Sequence, residues 1–256
     1  MIRREAEGGW LLINQHDHAL LSYCLMNHWD GNRFYLPCNF GEVAFAIREH
    51  DWGWKAWDRK PKVNPRDGYP MSFTEIDPES QATIWRRSIF AHRDTHPYAS
   101  VLIALHFFVF NERNLAKDPE NHHSLCLKRE ICSLVEEILK ISLDTLELDE
   151  LPQHVKYDLK LLQIGDALSL AICHGWREYR LQDAPCLCAH SSCQLTIGSN
   201  DGLNFYVDPF PFKEPVLRFK VQARRVAKRV FQHDKELARA LQCSHVEALN
   251  FTVERL

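Results

Sequence analysis

Apolar residues recur every three to four positions through most of the chain and at every second position near its end. The first period lines one face of a helix and the second one face of a strand. Helices are therefore predicted from Asn14 to about Trp29, Glu42 to Asp51, Pro78 to about Ala91, Pro97 to Phe110, Pro119 to Ile141 and about Pro152 to His174. Pro78 and Pro97 suit first helical positions, where no amide hydrogen is needed. The Tyr98–Phe110 run is apolar nearly all round and is expected at the centre. Trp10–Ile13 reads as a strand or extended lead-in, Trp57–Phe73 as a long aromatic, proline-rich loop, and Asp144–Glu150 as an acidic loop. Beyond about Cys188 the period shortens. Ser192–Ile197 and Leu203–Val207 read as a hairpin, and Val216–Val221 and Leu249–Val253 as strands flanking a short helix at Asp234–Leu241. Asp208-Pro-Phe-Pro-Phe212 cannot be a central strand, because proline lacks the ladder donor. The expected fold is mainly α: a helical domain over residues 1–186 with a small β-rich (α+β) appendage over 187–256.

Composition narrows the partners more than the chemistry. The 256 residues are 45% hydrophobic and 25% charged, with a net charge of −3, which is ordinary for a globular protein and makes no electrostatic case for nucleic acid or an anionic membrane. The apolar run at Val101–Phe110 is too short to span a bilayer and contains His106. Nine scattered cysteines suit a reducing cytoplasm, and the leading residues lack the cleavage pattern of a secretory signal. Cys186, Cys188 and Cys193 have no second half of a zinc pattern.

The fourteen histidines change the picture, because several fall on apolar helix faces. His18 shares a face with Leu21, Leu25 and Trp29, and His106 with Leu102, Ile103 and Val109. His50 and Asp51 stand side by side where a helix ends, ahead of Gly53. Asp166 lies mid-helix between leucines, and a buried carboxylate needs a cationic partner, hydrogen bonds or a metal.

In chain order these residues, His18, His50-Asp51 and Asp166, resemble the metal-dependent HD phosphohydrolase superfamily. His50-Asp51-Trp52-Gly53 is similar to its His-Asp-x-Gly signature, and Gly165-Asp166-Ala167-Leu168-Ser169 to its later aspartate segment; Trp54 stands where that superfamily often has lysine. More closely, the chain resembles an uncharacterised bacterial family, domain-of-unknown-function family 3891. The residues that carry this likeness are Leu12–His18, Arg48–Trp54 with Trp57-Asp58, Pro97-Tyr98-Ala99 with Leu105-His106, Leu161-Leu162-Gln163 with Asp166–Leu170, and Pro209–Phe212.

The HD likeness implies an HD-like helical bundle and a divalent ion (Mn, Fe, Zn, Ni or Mg) held by His18, His50, Asp51 and Asp166. His16 competes with His18 for the first place and otherwise contacts substrate. His106 is expected to face the same cavity, to bind substrate or to hold a second ion with His92 or His96. Asp51 and Asp58 are the catalytic carboxylates, Asp58 as a base toward water. Arg48, Trp54 and Trp57 are the expected substrate contacts. The function so implied is hydrolysis of a phosphate ester of a small metabolite or nucleotide, since metal and imidazole–carboxylate ligands polarise phosphoryl oxygens and activate water. Two rivals remain: a di-iron oxygenase of a small organic substrate, and a non-enzymatic binding protein in which Asp166 pairs with a buried Arg or Lys. The oligomeric state stays open.

Overall fold

A computed structural model describes residues 1–142, 146–187 and 191–255. Its helices are α1 (Gln15–Asn27), α2 (Phe40–Glu49), α3 (Trp54–Asp58), α4 (Pro78–Phe90), α5 (Pro97–Lys117), α6 (His122–Leu139), α7 (Gln153–His174) and α8 (Asp234–Cys243). Its strands are β1 (Ile2–Ala6), β2 (Gly9–Ile13), β3 (Glu178–Pro185), β4 (Ser192–Ser199), β5 (Asn204–Asp208), β6 (Val216–Ala227) and β7 (Val246–Arg255). They form one seven-stranded sheet in the order β1-β2-β6-β7-β5-β4-β3, antiparallel except where β5 runs parallel to β7.

The protein is thus α+β, about 47% helix and 24% strand, and not a mainly α bundle with a small appendage. The sheet draws β1, β2 and β3 from before residue 187 and β4 to β7 from after it. Trp10–Ile13 was legible as a strand or extended lead-in, but its place inside a shared sheet was not, nor were β1 and β3. Every residue of β2 is buried, because Leu11 and Ile13 face the helices while Trp10 and Leu12 face a second cluster with Val226, Phe231, Leu237 and Leu241. A strand covered on both faces loses its alternation. The outer strands are polar instead: β1 reads Ile-Arg-Arg-Glu-Ala, and β3 is largely exposed from Glu178 to Asp183. Charged edges protect a sheet from pairing with other chains, at the expense of a hydrophobic signal.

One hydrophobic cluster joins the two layers: Leu25, Leu161 and Ile172 from the helices pack with Ile2, Ile13, Phe205, Phe251 and Val253 from the sheet. Within the helical layer α1, α2, α5 and α7 pack on one another, with α4 and α6 outside α5. The N-terminal ends of α5 and α7 are tied through Asp158, whose buried carboxylate accepts from Tyr35 Oη (2.9 Å) and Tyr98 Oη (2.6 Å). Helix α7 stops at Gly175, whose φ of +69° favours glycine. The predicted helices and the hairpin are present with small shifts of their ends, except that α5 runs almost two turns past Phe110. No helix among the described residues is long and apolar enough to cross a membrane. The eight described cysteines are free thiols; Cys188 and Asp144 lie outside the described residues.

Candidate metal centre

Two close approaches bring the polar residues of the helical layer to one point. A methyl group on Gly165 would sit 2.6 Å from Ser22 Oγ and 2.9 Å from Met26 Cγ, so glycine lets α7 lie against α1 with Asp166 level with His18. A methyl on Gly53 would sit 2.1 Å from the Ile84 carbonyl oxygen. The Gly53 amide donates to Ser88 Oγ at 2.9 Å, which fixes the turn after α2 onto α4. That turn carries His50 and Asp51. Neighbouring residues point apart along a helix, but here the backbone leaves α2, and both side chains reach the same cavity.

There His18 Nε2 lies 2.7 Å from Asp51 Oδ2 and 3.9 Å from Asp166 Oδ1, while His50 Nε2 lies 3.7 Å and 3.5 Å from those oxygens. The ligand atoms of His18, His50 and Asp51 all fall within 4.8 Å of one another. Ligands adjacent on a single ion, bonded at 2.0–2.2 Å, are separated by about 2.8–3.6 Å; the four histidine–carboxylate distances of 2.7–3.9 Å come within a few tenths of an ångström of that range, whereas the 4.8 Å set of three does not include Asp166.

The hydrogen bonds around the cluster fix the tautomers. Ser169 Oγ donates its one hydrogen to the Asp166 carbonyl at 2.9 Å, so it accepts from His18 Nδ1, also at 2.9 Å. His50 Nδ1 lies 2.8 Å from the Ile47 carbonyl, which can only accept. With the proton on Nδ1 in both rings, each Nε2 is aimed at carboxylate oxygens, and the 2.7 Å approach of His18 Nε2 to Asp51 Oδ2 is a hydrogen bond once Nε2 is protonated as well. A positive species, whether proton or metal ion, is needed to make these contacts attractive. Charges respond in that sense. Burial disfavours the charged form of His50, yet Asp51 and Asp166 override it and raise the imidazole to about 9. Burial likewise opposes ionisation of Asp166, but His50, His106 and His18 hold its carboxyl at about 2. No Arg or Lys pairs with Asp166 among the described residues.

His106 Nε2 faces the other oxygen of Asp166 at 3.7 Å, and its Nδ1 is buried without a partner. Burial pushes this imidazole down to about 4, against the pull of Asp166, so it is neutral near pH 7. The cluster forms the floor of a cavity of about 320 Å³, a size that suits a small molecule. Its walls include Trp54, Phe73, Trp85, Phe107 and Phe110, and its rim Gln81, Arg113, Asn114 and Lys117.

The other expected residues lie elsewhere. His16 and Asp58 line a neighbouring groove of about 550 Å³ beside α8. Both Asp58 oxygens are engaged there, accepting from the Met1 ammonium and from the Gln15 amide at 2.8 Å each. His16 Nδ1 is buried without a partner, and burial together with Lys55 pushes the ring down to about 4. Arg48 bonds Glu49 at 2.8 Å and lies over Phe45; Trp57 packs on the core. Neither lines the cavity. His92 and His96 face Glu49 and Glu42 instead, at 4.0 and 2.8 Å. Sequence reasoning missed Ser169, Phe73, Phe107, Arg113 and Lys117. The last two were legible in principle, since His106, Phe110, Arg113 and Lys117 make one helical stripe.

Fold and site together define an α+β protein with two histidines and two carboxylates converging beneath an aromatic cavity. The chain belongs to the family described as "Protein of unknown function (DUF3891)", whose model matches residues 1–228. That match assigns no HD domain. No curated protein and no solved structure matches the chain.

Proposed function

We propose that this protein is a metal-dependent hydrolase of a small phosphate ester, with His18, His50, Asp51 and Asp166 holding one divalent ion in an HD-type arrangement. The observation that carries this reading is the pair of Nε2 atoms aimed at two carboxylates, a donor set suited to Mn, Fe, Zn or Ni. Such an ion, when bound, supplies electrophilic polarisation and water activation. The chain's own residues supply the rest. Ser169 and the Ile47 carbonyl hold the two imidazoles in the ligating tautomer. His106, neutral near pH 7 and lining the cavity, is placed to hydrogen-bond a substrate oxygen. The aromatic walls exclude water and so strengthen each polar contact within.

The di-iron alternative is less well supported. A second ion beside Asp166 Oδ2 would find His106, but among the described residues no other histidine besides His18 and His50 lines the cavity. The test is turnover of a panel of phosphate esters by untagged protein supplied in turn with Mn, Fe, Zn or Ni. Metal-dependent hydrolysis that disappears in Asp166→Asn is expected. Hydrolysis that survives both chelation and that substitution would overturn the proposal.

A further inference from the structure

The rim of the cavity carries charge opposite to its floor. Arg113 and Lys117 line it at the exposed end of α5, seven and eleven residues beyond His106 on the same stripe. At 1.5 Å per residue, Arg113 sits about 10 Å along the helix from His106. Its side chain leans back toward the floor, as helical side chains do, with Cζ 5.3 Å from the centre of the Phe110 ring.

Neither cation has a carboxylate within ion-pairing distance among the described residues, whereas three other cations of the helical layer do. Arg86 pairs with Glu130, Arg93 with Glu137 and Lys128 with Glu112. Glu112, the carboxylate next to Arg113, is thus committed to α6. The carboxylates that line the cavity, Asp51 and Asp166, belong to the floor. Beside the two cations, Asn114 Nδ2 donates to Gln81 Oε1 at 2.8 Å, which joins the rims contributed by α4 and α5. Between rim and floor the walls are aromatic: Trp85, Phe107 and Phe110.

We infer that Arg113 and Lys117 form an anion clamp, and that the substrate carries, opposite its reacting end, an apolar or aromatic body ending in a second anionic group. This rests on the proposed function for which end of the substrate reacts, but the clamp itself can be tested without a metal. Charge-assisted bonds from an arginine that is already placed over an aromatic ring favour a carboxylate or phosphate over a neutral group by roughly tenfold.

The experiment titrates metal-free protein with 4-phenylbutyrate, 3-phenylpropyl phosphate and neutral 4-phenylbutanol, read by tryptophan fluorescence from Trp54 and Trp85 in the wall. Both acids should bind roughly tenfold more tightly than the alcohol, and less so as salt rises. The tighter of the two names the anionic group. Arg113→Gln with Lys117→Gln should erase the preference without changing the melting temperature, and Arg113→Lys should keep part of it. Equal affinity for acids and alcohol, no binding by any probe, or a preference that survives the double substitution would overturn the clamp. A preference retained in a protein that binds no metal would sink the hydrolase reading alone; metal binding without the preference would sink the clamp alone.

Discussion

His18 Nε2 ligates only if its other nitrogen carries the proton, and Ser169 is the residue that enforces this. Ser169→Ala should therefore leave the fold intact but weaken metal affinity by roughly 10–100-fold, as losses of such supporting contacts do. Isothermal titration with Zn or Mn checks this; unchanged affinity would remove Ser169 from the account. Gly53→Ala tests the geometry behind the His-Asp pair. Its methyl would meet a backbone carbonyl at 2.1 Å, which a flexible side chain cannot relieve. A loss of about 1–3 kcal/mol or more in urea unfolding is expected. At this scale the sequence was informative where helical period and polarity disagreed: His18, His106 and Asp166 sit on apolar faces, and all three reach the cavity. It did not resolve which neighbouring residues share the cavity, because an offset of one to four residues changes the side a group faces. His16, Arg48 and Asp58 lie close in sequence to cavity residues but project to other sides.

Among the elements, α5 matters most because it carries both His106 at the floor and the cations at the rim. Its register against α7 is held at the far end by Tyr98 and Tyr35 on Asp158. The Pro97-Tyr98-Ala99 segment of the family likeness is thereby explained as architecture, since Tyr98 is remote from the cavity lining. Tyr98→Phe should cost about 1.5–3 kcal/mol, the range for a hydrogen bond to a charged group, in urea unfolding of the metal-free protein. A cost near zero would show that Tyr35 alone holds Asp158. Helix positions were legible because their apolar stripes are long. The last two turns of α5 were not, because Asn111, Arg113, Asn114 and Lys117 look like the solvated end of a helix.

For the whole molecule, the sheet is the part the sequence hid. Its middle strands alternate and were visible, and β2 was legible as a strand or extended lead-in, whereas β1 and β3 are polar edges without a hydrophobic signal. Because strands from both ends of the chain pair in one sheet, residues 1–186 lack β4 to β7 and leave β2 and β3 unpaired on their inner sides. A chain cut after residue 186 should not unfold cooperatively, whereas the full chain should melt in a single transition. A truncated chain with a sharp melt would contradict the shared core.

The central claim is that His18, His50, Asp51 and Asp166 hold one divalent ion. The most direct measurement is elemental analysis of untagged protein, wild type beside Asp166→Asn, each dialysed and then exposed to Mn, Fe, Zn or Ni. Asparagine keeps the size of the side chain and removes its charge. Wild type should retain about one equivalent of ion per chain and melt at a higher temperature when loaded, while the variant retains little and melts alike with or without metal. Equal retention by both proteins, or none by wild type, would contradict the account.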